Sequence, residues 1–384
     1  MALIACVGIS ASNLIGISTA YAKRVTFSGE TVTSYTYDNN IYRTSSNKVS
    51  DALMTLTQTV NASMNPKGYG INTNYRLNYA RFFTRTSQNS MEHSFVVSGS
   101  SGERNNWVVK PSYNYVFSQD VRGEVGSTTG PGETPDTWSQ KGYGMKVQYQ
   151  SPNEDFSSSV LLNINEKKYD SAQLKSRDSE ATNLTFSHRV MMSGKTSIKG
   201  SVALTKSEAL HSSESFGKSY GLRYSLGTQW KSSGKTSSQI NFGTMSSATE
   251  LGDLSLFGDL FVAMNVSWHH RYNSIFSLNF GRQFVFSPVA TNGQYISNSG
   301  SIGWRRKIGR RISTNMIYSG NYVERNGDNI GESINTGLKL GIRYDMNRIV
   351  SLDSGFNYTK YIKLDGKEGD YTAAIYTLGI NISI

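Results

Sequence analysis

The chain has 384 residues, with 39 Lys and Arg against 28 Asp and Glu, a net charge of +11 and one cysteine. A single cysteine excludes a disulfide scaffold and any cysteine-rich metal or haem framework, and beyond the N-terminus no uncharged apolar run reaches about 18 residues, which excludes a helical membrane protein. With 17% charged and 11% aromatic residues the composition also excludes a disordered polycation, and 36 glycines and 23 tyrosines point to a β-protein with no enzyme signature.

Residues 1–22 form a short apolar stretch ending in Ala20-Tyr21-Ala22, the small-x-small pattern of a signal peptide cleaved before Lys23. The segment 23–48 follows as an N-terminal periplasmic segment or an extra strand, with Val25 to Tyr37 as the candidate. From Val49 onward, period-two alternation dominates. In Ile71 to Tyr79 the odd positions are Ile, Thr, Tyr, Leu, Tyr and the even ones Asn, Asn, Arg, Asn. Successive strand side chains point to opposite faces, so this segment has one apolar wall and one wet wall. The same holds for Tyr220–Trp230, Phe276–Phe284, Ile312–Tyr322, Ile334–Tyr344 and Val350–Tyr358.

Such strands build either a soluble sandwich or a transmembrane barrel. Sandwich strands run about 5–6 residues, whereas a tilted membrane strand needs about 9–11; the segments here are of the longer kind. Tight turns are predicted at 118–120, 152–154, 193–195, 232–234, 272–274, 308–310 and 346–348. Between them lie longer polar stretches at 126–141, 166–180, 206–218, 246–257, 287–298, 323–332 and 361–372. Short periplasmic turns alternating with longer extracellular loops are a property of outer-membrane barrels. The expected fold is therefore all-β, a transmembrane antiparallel up-and-down barrel of about 18 strands (16–18) spanning 49–384, in the outer membrane of a Gram-negative bacterium. Adding Val25 to Tyr37 makes the count odd, so that segment either stays outside the barrel or replaces a strand counted elsewhere.

A membrane-facing wall should carry almost no charge, because Arg or Lys at the midplane costs about 2–4 kcal/mol. Parity puts Arg76, Lys110, Arg122, Lys146, Lys199, Arg223, Lys339 and Arg343 on the wet face, with Glu124, Asp259 and Asp353. These eleven are the candidate pore-lining residues. Arg282 falls in phase with Phe280 and Phe284, as expected of a bulge or an interfacial position, and His93 and His188 fall in phase with apolar neighbours. Pro111 interrupts a strand-like run, since it donates no ladder hydrogen bond. Tyr75, Tyr143, Trp230, Trp268, Trp304 and Tyr344 suit aromatic girdles.

Other motifs dissolve on inspection. Gly194-Lys195-Thr196 and Gly234-Lys235-Thr236 lack the preceding glycine of a phosphate-binding loop, having Arg189 and Gln229 there. The five histidines show no metal-ligand spacing, and no cofactor is expected. His211-Ser212-Ser213 lies in a polar loop with no orienting partner, so no catalytic residue is assigned and the protein is expected not to be an enzyme. The basic run Arg305 to Arg311 lacks aromatic interleaving; it reads as a solvated turn or a contact with anionic head groups, not a nucleic-acid site.

Residues 33–60 are the most distinctive stretch. Tyr37, Asp38, Asn40, Ile41, Tyr42, Arg43, Thr44, Ser50 and Asp51 resemble the start of an outer-membrane β-barrel porin family associated with exopolysaccharide gene clusters. The resemblance implies a barrel with a role in polysaccharide export or assembly. It departs at the C-terminus, where Ile384 stands in place of the usual aromatic. The resulting expectation is a passive, anion-tolerant porin or export conduit with a net basic lumen. Its partners are membrane lipid, lipopolysaccharide, and polysaccharide or export-complex proteins. The alternative is a structural barrel that sheathes a periplasmic export factor or an electron-carrying protein.

Overall fold

In the computed structural model, the described residues are 25–65, 69–101, 106–120, 134–211, 218–233, 235–249, 253–256, 258–271, 273–286, 294–325, 332–364 and 370–383. Their strands are β1 (Val25–Asp38), β2 (Asp51–Met64), β3 (Tyr69–Phe82), β4 (Ser90–Ser101), β5 (Trp107–Gln119) and β6 (Thr137–Gln150). Next come β7 (Phe156–Tyr169), β8 (Ser179–Ser193), β9 (Thr196–Ala209), β10 (Lys218–Ser233), β11 (Thr236–Ala248) and β12 (Asp259–Arg271). The last six are β13 (Ser274–Phe286), β14 (Gln294–Ile308), β15 (Ile312–Arg325), β16 (Ser333–Asp345), β17 (Val350–Lys363) and β18 (Tyr371–Ser383).

Each strand pairs antiparallel with its sequence neighbours, and β1 pairs with β18 from Glu30↔Ser383 to Asp38↔Ile375, closing an 18-stranded sheet on itself. Closure leaves no open edge, so every strand has a hydrogen-bonding neighbour on both sides, as hydrocarbon demands. The 18 strands include Val25–Asp38, which lies inside the barrel between β18 and β2. Ser118 and Gln119 do not turn; they end β5, paired with Trp138 and Thr137. Asp-Val-Arg-Gly-Glu-Val alternates like a strand, but β5 is already full length at Gln119, and 121–133 lie outside the described residues.

The remaining short turns fall between strand ends as the sequence predicts. Gly309, at φ +68, occupies the β14–β15 turn in the left-handed region where a Cβ is strained. Pro111 is accommodated at a local cost. The β5–β6 ladder runs through Pro111↔Met145, while the β4–β5 ladder skips from Ser98↔Ser112 to Ser101↔Val109. A missing N–H accounts for the gap without any shift of register.

The 39–50 connection, which holds the family-like residues, folds into a clasp on the end of the barrel. Asn40 is 0% exposed. Its Nδ2 donates to Thr44 O (2.8 Å) and Thr372 O (2.9 Å), and its Oδ1 accepts from Thr44 N (3.1 Å). Asp38 accepts from Asn40 N (2.9 Å) and holds Arg43 Nη1 at 2.8 Å, so the loop is tied to β1 and β18 together. Buried Asp51 accepts from Ala52 N (2.8 Å) and Arg85 N (2.8 Å), tying down the next connection. Asn40→Ala strands buried backbone groups at a cost of about 1–3 kcal/mol each. The expected result is a lower temperature for loss of the compact, heat-modifiable species on a gel, with the barrel still assembling.

Candidate functional site: the inner wall

The register sorts every strand residue onto one of two faces. All strand residues among the exposed large hydrophobics share one face, including Tyr75, Phe186, Phe242, Met316, Leu340 and Leu378. That face is the outer wall. Apart from Arg306 beside a short turn, the charged side chains described on it gather within the few residues nearest the long loops: Arg81, Lys141, Glu166, Lys168, Glu180, Lys206, Glu208, Lys218, Arg282, Glu324 and Lys360. The apolar belt between them and the short turns is the charge-free band a bilayer requires.

Arg282 is thereby explained by position, without a bulge. It pairs with Val262 and Asn298 in unbroken register near the loop end, and its Nη1 donates to Asn298 Oδ1 (3.0 Å) and Glu324 Oε2 (3.2 Å). His93 and His188 likewise lie on the outer wall, His93 stacked on Phe117 at 5.2 Å and His188 Nδ1 at 2.8 Å from Ser158 Oγ. Among the described residues no carboxylate bonds His188, so the Ser–His pair lacks the group that would orient the imidazole.

The opposite face is the inner wall. Nine of the eleven candidate residues lie in the described strands and have this register, and Arg122 and Glu124 lie outside the described residues. Lys110 is directly across the ladder from Lys146, and Lys199 is across from Arg189. Arg223 pairs with Ala203 and Met245, and its guanidinium sits 4.7 Å over the Phe261 ring. Arg76 stands alone between Thr59 and Ser94, and Lys339 between Ile317 and Asn357. Arg343 faces Asp353 and donates from Nε to Asp345 Oδ1 at 3.0 Å. Asp259 opens β12, and because the β12–β13 ladder stops at Val262↔Arg282 its carboxylate reaches Arg282 at 4.0 Å instead of an inner partner.

The candidates therefore do not form one ring; they divide by strand. From β5 to β10 the inner register carries Lys110, Lys146, Lys167, Arg189, Lys199, Arg223 and Lys231, and no carboxylate among the described residues of those strands. From β16 round to β1 it carries Lys339, Arg343, Asp345, Asp353, Lys363, Glu30 and Asp38. Between these arcs, β12–β17 present an Asn- and Ser-rich concavity of about 550 Å³ lined by Asn265, Asn279, Ser301, Asn321, Lys339 and Asn357.

Residues 25–383 match the family model described as putative beta-barrel porin 2. The chain belongs to that family. Among solved structures it is similar to the outer membrane protein opdK from Pseudomonas aeruginosa, with TM-score 0.50 and 9% identity over 94% of this chain and 99% of that one. It is similar also to OccAB3 from Acinetobacter baumannii, with TM-score 0.50 and 8% identity over 93% and 99% of the two chains. The FrpB iron transporter from Neisseria meningitidis (F3-3 variant) matches at TM-score 0.50 and 9% identity, over 96% and 83%. At such identities the likeness shows the fold alone. No curated protein matches the sequence.

This family member is thus an outer-membrane barrel of porin-like architecture, with β1 beginning and β18 ending at the short-turn end. Several inner residues escaped the sequence analysis. Arg189 was hidden because His188, in phase with the apolar set, blurred the parity of β8. Its Nε donates to Ser197 Oγ at 2.9 Å, which lays the guanidinium along the wall. Glu30 was hidden because β1 was set aside, although its own alternation was the available signal. At the loop end Lys167 lies 4.2 Å over Trp138 and 3.7 Å from Asp120, which Arg177 also approaches at 3.9 Å. Asp178, 0% exposed, accepts from Tyr169 N at 2.7 Å and holds His211 Nε2 at 3.4 Å. His211 is therefore part of a loop anchor, while Ser212 and Ser213 lie outside the described residues.

Proposed function

We propose that the barrel is a passive, non-enzymatic channel whose basic inner arc favours anions. The observation that carries this is the pair of like-charge contacts, Lys110↔Lys146 and Arg189↔Lys199, on adjoining parts of a wall without carboxylates. Like charges directly opposite on a ladder are destabilising, so folding alone gives no reason to keep them. A solute-facing wall does, because clustered cations raise the local concentration of anions and repel cations. Eighteen strands are wide enough for an aqueous channel.

An acidic or sugar polymer in transit to the cell surface suits such a wall, and this is the form in which a role in exopolysaccharide export is proposed. Inner-face aromatic rings are confined to the loop end: Phe82, Trp138, Tyr169, Phe261, Tyr295, Tyr361 and Tyr371 among the described residues. The middle of the wall therefore selects by charge and hydrogen bonding, not by ring stacking. The mixed charges on the outer wall at the loop end suit lipopolysaccharide head groups.

Single-channel recording in planar bilayers under a salt gradient tests the proposal. The expected result is a reversal potential of anion-selective sign that shrinks as salt rises and screening shortens the range of the field. A cation-selective reversal, or no conductance, overturns it.

A further inference from the structure

The basic run Arg305 to Arg311 is not used by the inner wall alone. β14 ends at Ile308 and β15 begins at Ile312, so Arg310 and Arg311 are turn residues at the short-turn end. Arg306 pairs with Ser274 and Thr314 and belongs to the outer wall. Among the strand residues whose side chains are described it is the one charged side chain on the outer wall at that end. Residues 305–311 are all exposed, and none of their cations has a carboxylate within ion-pair distance among the described residues. Ile308 (50% exposed) and Ile312 (37%) point outward among these cations, and above them the stacked rings of Trp268, Phe276 and Trp304 lie at centroid spacings of 5.5 and 6.3 Å. Cations, apolar anchors and an aromatic girdle together mark a membrane interface.

A second observation lies beside this turn. An almost wholly apolar groove of about 510 Å³ runs over the outer wall, lined by Ile342, Tyr344, Leu352, Leu378, Ile380 and Tyr35. The register joins it to the turn through Ile308↔Ile312, Ile312↔Tyr344, Tyr344↔Leu352 and Leu352↔Ile380. That row climbs away from the rim. Ile312 is the first residue of β15, Tyr344 the last but one of β16, Leu352 the third of β17 and Ile380 the fourth from the end of β18. From Ile312 to Ile380 it crosses three strand spacings, roughly 14 Å, which is on the scale of an acyl chain.

We propose that this surface binds one anionic phospholipid of the inner leaflet. Arg306, Arg310 and Arg311 hold its phosphate at the rim, and one acyl chain lies in the groove between β16 and β1. The charge of the turn selects the anionic head group, and the rising row carries the chain from rim to wall. The site is on the opposite face from the channel and does not depend on what the channel carries.

The test uses the full barrel in phosphatidylcholine vesicles, with Trp107, Trp138 and Trp230 replaced by Phe so that, of five tryptophans, only Trp268 and Trp304 report. Brominated phosphatidylglycerol should quench them at a mole fraction about tenfold below that needed with brominated phosphatidylcholine. R306Q/R310Q/R311Q should erase the difference, at about fivefold or less for each arginine lost, while heat-modifiability on a gel stays intact. R310Q/R311Q, which leaves the ladder untouched, replaces the triple variant if that one does not assemble, and should remove most of the preference. Equal quenching by the two lipids in the parent, or an unchanged preference in the variants, overturns the site. Stronger quenching by brominated bisphosphorylated lipid A than by phosphatidylglycerol overturns the inner-leaflet assignment.

Discussion

Replacing Lys110 and Arg189 with glutamate should make the barrel harder to unfold and at the same time remove most of its preference for anions. Each substitution turns a like-charge cross-strand pair into an opposite-charge one, K110E setting a carboxylate against Lys146 and R189E setting one against Lys199. Opposite charges directly across a ladder contribute roughly 0.2–1 kcal/mol, and relief of the repulsion adds a similar amount. The temperature at which the compact species is lost on a gel should therefore rise. The same double variant leaves the β5–β10 arc with five cations and two carboxylates in place of seven cations, so the reversal potential should fall towards zero. Adding K146E and K199E restores the like-charge geometry with the sign inverted. Stability should then return to about the parental value, and with four carboxylates against three cations on the arc the reversal potential should cross to the cation-selective side. A purely structural role predicts something else. Selectivity would follow neither variant, and stability alone would move. If the double variant were both more stable and equally anion-selective, the basic arc would not be the selecting element.

Much of this architecture is legible in the sequence because a barrel's two solvents impose a strict period of two. Ile71 to Tyr79 already separates a membrane-facing row of Ile, Thr, Tyr, Leu and Tyr from an inner row of Asn, Asn, Arg and Asn, and the register confirms the division. The failures come where turn-like residues sit inside a strand, or where polarity and facing disagree. The turn expected at 118–120 is one such place: Ser118 and Gln119 continue the alternation of β5 and pair with Trp138 and Thr137. Arg282 is outward because the head-group zone tolerates charge, and alternation alone carries no depth. Like-charge pairing is also invisible at this stage. That Lys110 meets Lys146 depends on the length of the loop between β5 and β6, most of which is polar sequence with no pattern of its own. The clasp around Asn40 was visible as a distinctive string of residues, yet its bond to Thr372 joins positions far apart in sequence that only closure brings together.

The facing of the two walls can be tested with adjacent residues. Phe242 and Asn241 sit in the middle of β11. Phe242 is 53% exposed on the outer wall, paired with Leu226 and Val262, whereas Asn241 faces inward, paired with Gly227 and Ala263. Phe242→Arg puts a guanidinium near the bilayer midplane at about 2–4 kcal/mol, a factor of roughly 30 to 1,000 in the folding equilibrium. The expected result is a large loss of the compact form in membranes and a sharply lower yield of inserted barrel. Asn241→Arg, one residue away, adds the same charge to a hydrated wall, where the group keeps its water. It should insert at parental yield and push the reversal potential further towards the anion-selective limit. The contrast does not depend on arginine's helix or strand propensity, which is the same in both variants, nor on net charge, which changes by one unit in each. Only the medium each side chain meets distinguishes them. Equal damage from the two substitutions would mean that both faces are packed against protein. Harm from N241R alone would mean the walls are assigned the wrong way round.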